Sequence, residues 1–367
     1  MTSLVCRRYA NEHYATIFNP ENGFFARFEE PGYPEPFWAK HGPELIDISV
    51  TGWCDRHCGT CYRSSTPQRR HMLLSDYETV IRQASRLNVC QVALGGGNPN
   101  QHPDFLKILK VTREKYGIVP NYTTNGKGLT EEVLQATAVF CGAVAVSAYE
   151  PYTQLAEALR KLTSHAIKVN INFVLDSESV GTALNWLIDP PSFLLGVNAI
   201  IFLNYKPVGR GGSPKRTLSR NDKVQAFLET ALSKQRNFKI GFDSCMVSGL
   251  ASNGIANSMW YDACEAARFS MYVSETLNAY PCSFMESSYE GIRLAEENLL
   301  EIWQEASLFQ QVRNKLRHPL CQGGSCVAIC RGGCPIFPEI NLCDQEENSG
   351  TQRKMQLYAG NAFVDAI

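Results

Sequence analysis

The chain has 367 residues, 44% of them hydrophobic, and 35 lysines and arginines against 36 acids give a net charge of −1. That length implies one large domain with a smaller one appended, and the balanced charge gives no bulk attraction to nucleic acid or to an anionic membrane. No stretch approaches the roughly 18 apolar residues of a membrane span, and Met1 to Tyr14 lacks an export signal's apolar run, so a cytoplasmic protein is expected. Fourteen cysteines exceed what a core needs. Secreted disulfide frameworks belong to short, core-poor chains. Here three cysteines cluster at 54 to 61 and five between 321 and 343, which favours metal ligation in a reducing compartment.

In chain order, Tyr14 to Phe18 and Phe24 to Phe28 flank a Pro/Gly turn and read as a hairpin. Pro31, Pro34, Pro36 and Pro43 then mark a linker, so residues 1–44 form no full domain. From Leu45 the pattern alternates. Strands are expected at 45–51, 91–95, 118–124, 143–148, 167–175 and 198–205, and amphipathic helices at 75–87, 102–116, 130–140, 153–164, 179–188 and 219–235. Ser75 and Thr130 suit N-caps. Six βα units imply a parallel sheet with outer helices, an α/β partial (β/α)6 barrel over residues 45–240. Its chemistry belongs at the carboxyl ends of the strands. The rhythm stops after 240, leaving a cysteine-rich region at 241–350 and a tail at 351–367.

Just past the first strand, Cys54, Cys58 and Cys61 follow C-x3-C-x2-C. Three thiolates on one loop can hold three corners of an iron-sulfur cube and leave its fourth iron open to a small ligand. A zinc knuckle short of one ligand and three unrelated buried thiols are the alternatives; His57, between two cysteines, would strain the loop as a zinc ligand. After the second strand comes Gly95-Gly96-Gly97-Asn98-Pro99, where main-chain groups can reach a ligand, or simply turn the chain. Strand three ends in Thr123-Thr124-Asn125-Gly126, which also makes a plain Asn-Gly turn. Asn172 alternates with Val169, Ile171 and Phe173, so its amide points opposite that apolar face, toward a ligand or a structural partner. Arg210 reads either as a bidentate carboxylate clamp or as a solvated loop charge. Cys6, Cys90 and Cys141 stand apart in apolar settings and read as core thiols.

Together these motifs resemble the radical S-adenosylmethionine (SAM) superfamily, with Gly95 to Pro99 similar to its GGEP motif, Asn125 in its TNG turn, and Tyr205 to Gly211 similar to its P-x-GR-G turn. The resemblance implies a 4Fe-4S cluster on Cys54, Cys58 and Cys61, with SAM held by Gly95, Gly96, Gly97, Asn98, Pro99, Asn125, Ser147 and Asn172. Gly96 and Gly97 are expected to bring backbone against SAM. Two departures stand out: Asn98 replaces the glutamate, and Thr60 takes the place of the usual aromatic before the third cysteine. The C-terminal region resembles the SPASM extension with two auxiliary 4Fe-4S clusters, three in all, through Pro281-Cys282, Cys330-Arg331-Gly332-Gly333-Cys334 and a helix from Asn298 to Arg313. That pattern assigns Cys264, Cys282 and Cys334 to the nearer cluster and Cys321, Cys326, Cys330 and Cys343 to the distal one. Cys245 is a candidate fourth ligand or a hydrogen donor, Leu277 stands where the family has glycine, and zinc is the alternative metal.

The resemblance implies reductive cleavage of SAM to a 5'-deoxyadenosyl radical that takes hydrogen from a peptide or protein side chain, leaving a crosslink, thioether or oxidation. A reductant such as flavodoxin or ferredoxin would be needed, and leader recognition would fall to a separate protein or the barrel rim. Two other readings share part of the pattern: a dehydrogenase or epimerase of a small molecule such as a sugar or aminoglycoside, and a non-catalytic iron-sulfur electron carrier.

Overall fold

The computed structural model describes residues 4–233, 236–253, 262–319, 321 and 327–343. Cys326, one of the expected distal-cluster ligands, lies outside them. Three strands, β1 (Val5–Tyr9), β2 (Tyr14–Phe18) and β3 (Phe25–Glu29), form an antiparallel sheet, so the expected hairpin carries an added first strand. Phe18 packs with Cys90 and Val119 just before and at the start of two parallel strands, so this sheet covers the amino ends of the barrel, away from the chemistry. Cys90 is buried there and Cys141 packs half-buried against the main core, but Cys6 is exposed, so the core reading fails only at Cys6.

The main sheet carries the expected six parallel strands, β4 (Leu45–Thr51), β5 (Gln91–Gly96), β6 (Val119–Thr124), β7 (Val144–Ser147), β8 (Val169–Leu175) and β9 (Ala199–Asn204). Around them lie α1 (Leu74–Arg86), α2 (Phe105–Lys110), α3 (Glu131–Phe140), α4 (Thr153–Ser164), α5 (Val180–Ile188) and α6 (Asp222–Ser233). Period-two alternation decides the faces: Ile46, Ile48 and Val50 of β4 are fully buried against the helices, while Leu45 and Asp47 border an interior cavity. On α1 the apolar stripe Tyr77, Val80, Ile81 and Ala84 packs inward at helical spacing. Thr130 caps α3 by accepting from the Val133 amide. Ser75 lies inside the first turn of α1, whose N-cap is Leu73.

The parallel sheet runs further than its hydrophobic rhythm suggests. A seventh strand, β10 (Lys239–Phe242), pairs parallel to β9, so the boundary expected at 240/241 falls inside it. On the other side β11 (Ser270–Val273) pairs parallel to β4, and β12 (Asn278–Tyr280) and β13 (Ile292–Arg293) follow antiparallel. The C-terminal region is thus joined to the barrel through one sheet. Leu277, in the β11–β12 turn, holds φ at 57°, so the left-handed conformation survives the loss of glycine. Beyond α7 (Val247–Ser252), the expected helix from Asn298 to Arg313 is two helices, α8 (Leu299–Glu305) and α9 (Ser307–Arg317), broken at Ala306. Arg313 bridges them, donating to the Trp303 carbonyl at 2.5 Å and to the Ala267 carbonyl at 2.6 Å. A short α10 (Val327–Cys330) and a 3-10 turn at Pro338–Ile340 end the described elements.

A buried charge cluster fastens this junction. Arg63 and Glu275, each with 1% of the side chain exposed, pair at 2.5 Å, Arg69 reaches Glu275 at 2.9 Å, and Ser49 donates to Glu275 at 2.8 Å. Glu286 neutralises the remaining charge and accepts from Tyr272 at 2.7 Å. Charge removed on one side leaves a buried ion unmatched. Glu275→Ala is therefore expected to cost about 3–5 kcal/mol in chemical unfolding; a loss below about 0.5 kcal/mol would show that Glu286 alone suffices.

Candidate active site

At the carboxyl ends of the strands lies a cavity of about 240 Å³. Its wall includes Cys54, Cys58 and Cys61, Gly95 to Gly97, Asn125, Ser147, Asn172, and Ser283 with Phe284 from the C-terminal region. The cysteine loop is fixed by backbone packing. Gly97 donates to the Thr51 carbonyl at 2.6 Å and Asn98 to the Trp53 carbonyl at 3.0 Å. A Cβ on Gly97 would sit 1.9 Å from the Trp53 carbonyl oxygen, and one on Gly96, whose φ is 113°, would sit 2.0 Å from that of Thr51. Both glycines border the cavity, but what forbids a side chain on them is the cysteine loop. At Gly95 a Cβ would meet nothing within 4 Å.

Asn98 and Pro99, expected among the cofactor contacts, lie behind this wall; neither borders the cavity. The Asn98 carbonyl oxygen accepts from the Thr124 hydroxyl at 3.0 Å and the Asn125 amide at 2.9 Å, and its amide donates to Gln101 and the Lys127 carbonyl. Asn98 thereby ties the glycine turn to the Thr-Asn-Gly turn, which positions Asn125. The Asn125 side chain in turn donates to Cys54 Sγ at 3.6 Å. Asn172 faces the cavity as its strand alternation required; its amide reaches Thr123 at 3.4 Å and its buried carbonyl oxygen has no partner among the described residues.

Arg210 is neither a carboxylate clamp nor a solvated charge. It donates to the Cys58 carbonyl at 3.0 Å and the Ser65 carbonyl at 2.6 Å, while its own amide reaches the Cys61 carbonyl at 2.9 Å. Its neighbours Gly209 and Gly211, at φ 74° and 64°, press against the same loop, where a Cβ would come within 2.3 Å of carbonyl oxygens. Tyr149, not singled out by sequence, borders the cavity together with Cys58 and Ser147, with the Arg56 guanidinium 4.7 Å from its ring. An aromatic two residues past Ser147 was the available signal. Exposed His57 is absent from the cavity wall.

Residues 48–171 match the radical SAM superfamily. The chain carries a radical SAM domain. Mycofactocin maturase MftC of Mycobacterium ulcerans is 24% identical over 322 residues, covering 80% of this chain and 84% of that protein. Streptococcus suis SuiB bound to its precursor peptide SuiA superposes with a TM-score of 0.71 at 15% identity, covering 91% of this chain and 96% of that one. Native anSMEcpe with bound AdoMet and the Cp18Cys peptide gives a TM-score of 0.61 at 15% identity over 79% of this chain and 88% of that one.

The site residues fit the SAM-binding iron-sulfur cluster that a radical SAM domain carries. Burial and the neighbouring Cys61 and Cys54 push the Cys58 thiol up, so the three sulfurs sense one another. Among the described residues no three ligating groups converge on the position of a single ion; thiolates on separate corners of a cube need not. The hydrogen bond from Asn125 reaches the Cys54 sulfur, an arrangement that tunes an iron-sulfur potential.

Behind Ser283 and Phe284 lies a second group of thiols. Cys245, Cys264, Cys282 and Cys334 are each at most 2% exposed. A hydrogen bond with Cys334, then burial, holds the Cys245 thiol well above its ordinary range, and Cys282 is raised by burial, then by Cys264 and Cys245. Asn204 pins this nest by donating to the Cys245 carbonyl at 3.2 Å and the Ile340 carbonyl at 3.1 Å. Lys206, buried and paired with Asp243, brings positive charge beside Cys245 and Cys334; the Asp243 carboxylate raises its ammonium pKa against the cost of burial. The turn before Cys334 is left-handed three times over, at Arg331, Gly332 and Gly333, and Asn341 accepts from the Cys334 amide at 2.8 Å. Cys330 is buried against Val247 and Ala251, and Cys321 and Cys343 are half-buried.

The glycines now separate by role. Gly95→Val is expected to project into the cavity and weaken SAM binding by about tenfold or more with folding intact. Gly97→Ala is expected to lose about 1–3 kcal/mol of stability through overlap with Trp53. Equilibrium dialysis with SAM and thermal unfolding check both; a Gly97→Ala protein of normal stability that has lost SAM binding would place the ligand, not the loop, against Gly97.

Proposed function

We propose that this protein is a radical SAM peptide maturase with two auxiliary clusters, one held by Cys245, Cys264, Cys282 and Cys334 and the other by Cys321, Cys326, Cys330 and Cys343. The observation that carries the reading is the shared cavity: one wall is the three-cysteine loop, and another, Ser283–Phe284, adjoins Cys282 of the buried nest. When bound, the cluster and SAM supply a 5'-deoxyadenosyl radical that takes hydrogen from the substrate. The chain's own residues then have distinct tasks. Gly95, Asn125, Ser147 and Asn172 bind SAM, Asn125 also holds the Cys54 sulfur, and Phe284 with the aliphatic wall excludes water.

Likeness to MftC, and to SuiB with a precursor peptide bound, supports a peptide over a sugar or aminoglycoside. Burial of Cys245 beside Cys334 and Cys282 supports it as a ligand, not a hydrogen donor, because a hydrogen donor must face the substrate and Cys245 is absent from the cavity wall. A low-potential flavodoxin or ferredoxin would supply electrons, and leader binding would fall to the barrel rim or a separate protein.

The test is anaerobic incubation of the reconstituted, reduced protein with SAM and a synthetic peptide library, read by product mass. A modified peptide formed together with 5'-deoxyadenosine is expected, with about twelve irons per chain. Modification only of small alcohols or sugars would overturn the peptide reading, and about four irons with zinc at the C-terminal thiolates would overturn the auxiliary clusters.

A further inference from the structure

Asn98 departs from the family motif, and the proposed function leaves it without a task. It is fully buried, it does not border the cavity, and its side-chain polar atoms are all engaged. Two donors, the Thr124 hydroxyl and the Asn125 main-chain N–H, meet its carbonyl oxygen, and its amide donates to Gln101 at 2.6 Å and to the Lys127 carbonyl at 3.1 Å. A carboxylate of the same length keeps the two acceptances and loses both donations, so the surroundings call for an amide. Asn125 is then oriented within its own turn. The Lys127 N–H donates to its side-chain oxygen at 2.9 Å, and the Gly126 N–H donates to the Thr124 hydroxyl that Asn98 holds. With the oxygen end of the Asn125 amide taken by Lys127, its nitrogen end is the one that faces Cys54 Sγ. Cys54 is 8% exposed, whereas Cys58 and Cys61 are half-buried. A donor acts most strongly on the most buried sulfur, where water screens least.

We propose that Asn98 is a positioning residue for electron uptake: by fixing the Thr-Asn-Gly turn it aims the Asn125 amide at Cys54, and so sets the reduction potential of the cluster on Cys54, Cys58 and Cys61. This rests on that cluster assignment and not on which substrate is modified. The flavodoxin or ferredoxin gives up one electron and the cluster gains it, which makes the cluster's sulfurs more negative. The Asn125 N–H stabilises that added charge, so it favours the reduced form over the oxidised one. Asn98 acts in two ways. It holds the donor in place, and its neutrality, where the motif has an acid, keeps a buried negative charge away from a cluster that has to take up an electron. Its own main-chain N–H bonds the Trp53 carbonyl, one residue before Cys54, so a charge at this position would lie close to the first ligand.

The test is an anaerobic potentiometric titration of the reconstituted holoenzyme, read by the electron paramagnetic resonance signal that a Cys54→Ala, Cys58→Ala, Cys61→Ala protein lacks. At the wild-type midpoint potential, Asn98→Ala and Asn125→Ala are each expected to lower the reduced-to-oxidised ratio by about tenfold, the loss of one hydrogen bond to a charged sulfur, with iron content unchanged. The double variant is expected to fall no further than Asn125→Ala alone, because both changes remove the same bond. Asn98→Asp, which keeps the acceptor oxygen and adds a charge, is expected to lower the ratio as well. A wild-type ratio in Asn98→Ala, or an Asn98→Ala effect that persists in full in the Asn125→Ala background, overturns the proposal while the maturase reading stands. A loss of SAM affinity by about tenfold in Asn98→Ala with the ratio unchanged places Asn98 at the cofactor and overturns it too. If Asn98→Ala loses iron, Asn98→Asp is read in its place; the same loss in both assigns Asn98 to the fold and overturns the proposal. A wild-type protein that shows no such signal overturns the cluster assignment, and with it both the maturase reading and this proposal.

Discussion

The structure depends on three backbone turns packed against each other with no room for side chains. The cysteine loop after β4 is clasped on one side by Gly96 and Gly97 and on the other by Gly209 and Gly211, each so close that a Cβ would overlap a carbonyl oxygen. Arg210 then satisfies the Cys58 and Ser65 carbonyls that the tight loop leaves outward. Glycine at these four positions is a requirement of interlocking main chains, whereas Gly95 beside them keeps free space for a ligand. A loop held in this way can keep three sulfurs in place whether or not a cluster is present, so one iron can stay open to SAM.

Around that clasp runs a polar framework linking the barrel to the C-terminal region. Arg63, Arg69, Glu275 and Glu286 hold β11 beside β4, and Asn204 with the Lys206–Asp243 pair holds the segment carrying Cys334 and Ile340 against the strand ends. Buried ion pairs add little net stability compared with apolar packing, but breaking one is costly, which suits them to fixing the relative placement of two thiol nests. Positive charge at Lys206 also offsets thiolate charge at Cys245 and Cys282, pulling both thiols down against their burial.

Much of this was legible in the sequence. The six βα units follow from hydrophobic period, and the cysteine loop and glycine turn from spacing. Asn172 turns its amide to the cavity because strand alternation demands it. Other features are written in contacts between residues far apart in the chain. Strand β10 has four residues and β11 pairs with β4 across more than two hundred positions, so neither leaves a local signature. Asn98 and Arg210 bond to backbone carbonyls that only the folded chain brings near. Asp47 reads in sequence as an ordinary polar position in an alternating strand; its place on the cavity wall appears only once β5 and β11 close around it.

The central claim is that Cys54, Cys58 and Cys61 hold a cluster with one iron open to SAM. Electron paramagnetic resonance of the reduced protein, with and without SAM, tests it most directly. The account predicts a signal that shifts when SAM is added, and a Cys54→Ala, Cys58→Ala, Cys61→Ala protein that loses that shift while keeping the signals of its C-terminal clusters. A spectrum unchanged by SAM in the wild-type protein, or a shift that survives in the triple variant, would contradict it.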